Sequence, residues 1–202
     1  EQNKNLVKGY TAHCIELFGM WAWMPVFLRL VLIGKTGLNP IILGLVISIT
    51  LHITGVFANM ISGVFSDKFG SKNILIIFAF ISSIFSFLMG WIPSLSWLII
   101  LLISFLYSFF TIGDSGVLTA ALTDSTNRNV LGRSLAYRSI IGIGFGSITP
   151  GIFGYILDVS NNHEALSQQT NWIYAFSFLG LAGLYAFYYA TKLNRRALSR
   201  SL

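Results

Sequence analysis

Six apolar stretches, joined by short polar connections, dominate this sequence and leave little freedom in what it can fold into. A helix needs ~20 mostly apolar residues to cross ~30 Å of hydrocarbon, so 202 residues allow about six crossings. With 54% hydrophobic residues, 10% charged residues and a mean hydropathy of +0.72, the chain holds more apolar surface than one water-soluble core can hide. The expected fold is all-α, an integral membrane bundle of six transmembrane helices. Its spans should cover about residues 9–33, 41–66, 73–91, 97–123, 135–157 and 172–191, after a linker at 1–8 and before a basic tail at 192–202. The chain opens on Glu1 with no basic-then-apolar leader before its first span, which predicts a piece of a longer chain rather than a secreted precursor.

The net charge of +6 does not form a nucleic-acid patch, because the basic residues are scattered over several short loops. They report topology instead. Eleven of the lysines and arginines, from Lys4 and Lys8 to Arg196 and Arg200, fall on one side of the predicted membrane, and only Arg29 and Lys35 on the other. The expectation is a multi-pass protein of the cytoplasmic membrane with both termini cytoplasmic, as an even number of spans requires. Cys14 lies in the first span and has no second cysteine to pair with. Neither a zinc-binding pattern nor a cofactor loop is present, and His13, His52 and His163 fall in separate places, so no metal and no cofactor are expected.

Between the second and third spans lies GVFSDKFGSK, in which Gly63, Asp67, Lys68, Gly70 and Lys72 resemble the loop signature of the major facilitator superfamily of secondary transporters. The resemblance extends over nearly the whole chain and is greatest for the carboxy-terminal half of a subset of bacterial permeases. GYTAHCIELFGMWAWMPVFL (9–28) is similar to their seventh span, GDSG (113–116) to their tenth, and the glycines with Pro150 and Asp158 to their eleventh. No basic residue occurs in 101–123, where the family's amino-terminal half usually has an arginine, and Pro150 does not directly follow a glycine as in the family's fifth-span motif. The resemblance implies half of a facilitator fold, transport of a small solute by alternating access, and a second six-helix half as partner beside the lipid bilayer. It also implies that Asp67, with Lys68 and Lys72, holds one conformation at the cytoplasmic face, with Asp124 and Arg133 in the same network. The alternatives are a half-size carrier acting as a homodimer and, in another class, a membrane-embedded enzyme or a receptor. For the enzyme, no G-x-S-x-G elbow or phosphate loop is present.

Carboxylates inside hydrocarbon are costly, at least ~2.5 kcal/mol each, and are relieved by protonation, pairing or water. Glu16 and Asp114 are therefore the first candidates for a proton or substrate path, with His13 one turn from Glu16. Trp23 and Tyr107 share their faces, and His52 and Asn59 lie on a small-and-polar stripe of the second span. Each has a plainer reading: a locked helix pair for the carboxylates, a helix-to-helix hydrogen bond for His52, bundle filling for the aromatics. Gly142, Gly146, Pro150 and Gly154 recur every four residues in the fifth span, a spacing that lets a neighbouring helix approach closely.

Overall fold

The computed structural model describes residues 1–194. Its helices are α1 (Gln2–Leu32), α2 (Pro40–Phe69), α3 (Ser71–Met89), α4 (Trp97–Ser125), α5 (Leu131–Ser160) and α6 (Ile173–Thr191), with a 3-10 turn at Arg128–Val130 before α5. All six are long and apolar enough to cross a membrane. The first eight residues are not a linker. Helix α1 starts at Gln2, and Leu6 is buried against the rest of the bundle, so the apolar run marks only the membrane-embedded part of a longer helix. Helix α2 likewise runs on through Asp67 and Lys68 to Phe69. Of the basic tail, Arg195, Arg196 and Arg200 lie outside the described residues.

Local chemistry sets the helix ends. Asn39 Oδ1 accepts from Ile41 N at 2.7 Å and Pro40 occupies the first turn of α2, where its missing N–H costs nothing. Gly70 separates α2 from α3 at φ 85°, a left-handed conformation that a side chain would strain. At the opposite end of the bundle Lys35 donates to the carbonyls of Pro93 and Leu95, and Gln168 Nε2 to Ile33 O at 2.8 Å, which ties three connections together.

Helices α1–α3 and α4–α6 form two repeats. Each reads long, long, short: 31, 30 and 19 residues, then 29, 30 and 19. At 1.5 Å per residue, α3 and α6 reach about 28 Å, just the hydrocarbon thickness, and the others overshoot it. The packing repeats as well, since α1 lies against α5 and α6 as α4 lies against α2 and α3, while α3 packs along α6. Nested three-helix repeats of this kind are a feature of transporter folds.

Two large apolar clusters, and a small one of Ala12, Ala79 and Ala186, hold the bundle. One stacks Phe27, Phe153, Trp172 and Phe176 edge-to-face between α1, α5 and α6. The other packs Leu6, Leu75, Leu118, Leu122 and Ala190 at the end where α1 begins. The outer faces of α2 and α5 stay apolar and exposed, with Ile41, Leu45, Ile49, Val56 and Met60 on one and Ile140, Phe145, Ile148 and Tyr155 on the other. Lipid, or another apolar protein surface, must cover them.

Candidate functional site

Between the two apolar clusters lies a polar layer. His13 and Glu16 of α1, Ser82, Ser83 and Ser86 of α3, and Tyr107, Ser108, Thr111 and Asp114 of α4 are all buried there. Three-residue and four-residue spacings turn each set to one side of its helix, and the packing of α1 against α4 and of α4 against α3 brings the sets together.

His13 is the bridge. Its Nδ1 lies 2.8 Å from Asp114 Oδ1, and its Nε2 lies 2.8 Å from Ser115 Oγ on the next residue of α4. Glu16 Oε2 accepts from Ser82 Oγ at 3.2 Å, with the Tyr107 hydroxyl and the Asp114 carboxylate as further electrostatic neighbours. Glu16 Oε1 is buried and makes no hydrogen bond. Tyr107 donates to Ser86 Oγ at 3.1 Å, and Ser86 donates in turn to Phe176 O at 3.0 Å. Ser83 donates to Gly180 O at 2.9 Å, so α3 is bonded to α6 along the same layer. Gly183 leaves room for Glu16, since a Cβ there would lie 2.9 Å from Oε2.

Ser115 also faces outward. It lines a cleft of about 360 Å³ between α1, α2 and α4, together with Trp21, His52, Gly55, Val56 and Asn59. Asn59 is oriented by donating to Gly55 O at 3.0 Å and accepting from Gly116 N at 3.3 Å. On its other side Asp114 borders a cavity of about 10 Å³, enough for about one water, lined also by Asn5, Gly9, Leu118 and Leu193. Polar groups thus lead from the open cleft through Ser115 and His13 to Asp114, whose Oδ1 lies beside His13 Nδ1 without a hydrogen bond to it.

The family model described as Major Facilitator Superfamily matches residues 10–201. The chain belongs to the major facilitator superfamily. No individual curated protein matches it. It is accordingly a multi-pass membrane protein of a transporter family, and its six apolar helices fit half of the facilitator fold.

Within this facilitator bundle the candidate residues divide by position. His13, Glu16, Tyr107 and Asp114 meet in the buried layer, whereas His52 and Asn59 stand in the cleft. Trp23 joins neither. It stacks on Phe153 with ring centres 5.3 Å apart and donates from Nε1 to Pro150 O at 2.9 Å. The reason is that α5 runs alongside α1, so Gly142 and Gly146 meet Tyr10 and Cys14 while Gly154, farther along, meets Trp23. A Cβ would lie 2.5 Å from the Tyr10 ring at Gly142 and 3.0 Å from Cys14 O at Gly146.

At the charged turn, Lys72 donates to Thr191 O at 2.7 Å and Leu193 O at 2.6 Å, capping the end of α6 rather than pairing with Asp67. Among the described residues no ion pair joins Asp67, Lys68, Asp124 or Arg133, and Gly63 has open space where a Cβ would stand. Nor do three or more His, Cys, Asp or Glu side chains among the described residues come together as a metal site would require.

Two contributors are missing from the sequence-level candidates. The serines of α3 supply the partners of Glu16 and Tyr107, and their 82/83/86 spacing was the available signal. Arg138 is buried, donates to Thr119 Oγ1 at 3.1 Å and lies 4.1 Å from the centre of the Tyr10 ring. Its place inside the apolar run 135–157 was the available signal.

Proposed function

We propose that this bundle is the carboxy-terminal half of a proton-coupled secondary transporter of the cytoplasmic membrane, moving a small solute by alternating access against a second six-helix half. The observation that carries the reading is the contact of His13 with Asp114, next to Glu16, in a buried layer that meets an open cleft through Ser115. Ionisable groups at that depth are costly to retain, and in transporters they mark ion and proton paths. Imidazole can pass a proton between its two nitrogens, so His13 is suited to exchange protons between the cleft side and Asp114. Glu16, with one unbonded oxygen, serves as a second proton site or as the group that senses a cationic solute.

Trp21, His52 and Asn59 form this half's share of a solute path that the opposite half completes. Asp67, Lys68, Asp124 and Arg133 lie free of one another at the positively charged end, where pairing with the other half would hold one conformation. The excess of lysine and arginine at that end supports a cytoplasmic assignment for it and for both termini. The similarity of residues 9–28 and 113–116 to the family's seventh and tenth spans favours the carboxy-terminal half.

The test is uptake of a panel of small organic acids, amines and sugars by vesicles holding the complete carrier, measured against external pH. Glu16→Gln and Asp114→Asn are each expected to lower uptake of the transported compound by about 10- to 100-fold, the range for loss of a charged buried hydrogen-bonding group, and to flatten its pH dependence. Wild-type uptake and pH profile in both variants would exclude proton handling by this layer.

A further inference from the structure

Two grooves of about 610 Å³ each lie on the outside of the bundle, toward the end where α1 begins, and the internal repeat relates them. In one, α2 and α3 splay apart over α4, and the walls are Phe65, Phe69, Ile77, Phe78 and Phe109. In the other, α5 and α6 splay apart over α1, closing again at the far end where Phe153 meets Trp172 and Phe176. Its deeper wall is also apolar, with Ile15, Ile141 and Phe145, but its mouth holds Lys4 and Lys8 beside Ser134.

The contrast separates architecture from recognition. An apolar groove of the same size forms in the first repeat with no lysine among its lining residues, Lys68 lying over the Phe69 ring 5.4 Å from its centre, so lysines in the lining are not needed to build such a groove. Among the described residues no carboxylate pairs with either of them. Lys8 is held at the rim over the Tyr189 ring, 5.3 Å from its centre, and Lys4 is exposed. Unpaired positive charge at the polar end of a membrane-facing apolar groove complements one abundant kind of molecule, a lipid with a negative head and apolar tails.

We propose that the α1/α5/α6 groove binds an anionic phospholipid, with its phosphate on Lys4 and Lys8 and an acyl chain along Ile15, Ile141 and Phe145. The first-repeat groove accepts acyl chains without regard to head group. Because the groove shares no lining residue with the cleft, this assignment is independent of which solute the carrier moves. Each lysine near a membrane surface strengthens attraction to anionic lipid by about fivefold, so removing both should weaken binding by roughly 30-fold.

The experiment uses the full chain in a neutral detergent, with phosphatidylglycerol and phosphatidylcholine of identical acyl chains as probes. Retained lipid is counted by native mass spectrometry, and thermal unfolding is followed in parallel. Wild type should retain phosphatidylglycerol in preference to phosphatidylcholine and gain more thermal stability from it. The K4Q/K8Q variant should lose the preference, K68Q at the same end of the bundle should keep it, and I141W, which fills the groove, should lose the bound lipid altogether. Equal retention of the two lipids by wild type, an undiminished preference in K4Q/K8Q, or the same loss in K68Q would overturn the proposal.

Discussion

Glu16 owes its position to a missing side chain as much as to its hydrogen bond. Gly183 leaves the carboxylate space to reach Ser82, and the methyl group of Gly183→Ala would stand 2.9 Å from Oε2. That variant is expected to shift the pH of half-maximal uptake while leaving the apparent affinity for solute unchanged, because the cleft is not touched. Gly151→Ala, with open space around the new methyl, should behave as wild type. A wild-type pH profile for Gly183→Ala would mean that Glu16 takes no part in proton handling. His13, Glu16 and Asp114 were legible in the sequence because an ionisable residue inside an apolar run has few uses. The serines were not, because a hydroxyl in a membrane helix can turn back onto its own backbone, as Ser104 does onto Ile100 O at 2.7 Å, or reach across to another helix, as Ser83 does to Gly180 O. Only the packed structure separates the two. Trp23 illustrates the same limit, since its helical face is shared with Glu16 but the ring is held against Phe153, Gly154 and the Pro150 carbonyl of α5.

At the level of helices, the clearest interface is that of α1 with α5, where glycines on α5 admit the side chains and backbone of α1. Gly146→Val would press its first carbon against Cys14 O, a backbone atom that cannot move aside cheaply. Overpacking of this kind costs about 1–3 kcal/mol, whereas Gly144→Val, on the open side of the same turn, should be nearly neutral. Thermal unfolding of the two variants in detergent makes the comparison, and equal stability would show that the close approach contributes nothing. Helix number and type followed from the apolar runs because the bilayer fixes a minimum length. The ends did not follow, because a helix continues into water for as long as its caps allow. Thus α1 starts at Gln2 and α2 runs through Asp67 and Lys68 to stop only at Gly70.

For the molecule as a whole, the two three-helix repeats place α1 and α4 against each other at the centre, and the buried polar layer lies where they meet. This repeat is hard to see in the sequence, since it lies in helix length and packing rather than in matching side chains. It also explains why both the cleft and the Asp114 cavity adjoin α4: the central helices alone have a face toward each. The account makes proton transfer through His13 and Asp114 the task of this half. Its most direct test is to load vesicles containing the complete carrier with a pH-sensitive dye and add the transported solute outside. Wild type should carry protons inward with the solute and acidify the lumen, and Asp114→Asn should abolish that signal. A lumen that acidifies equally with Asp114→Asn would contradict the account and move proton coupling out of this bundle.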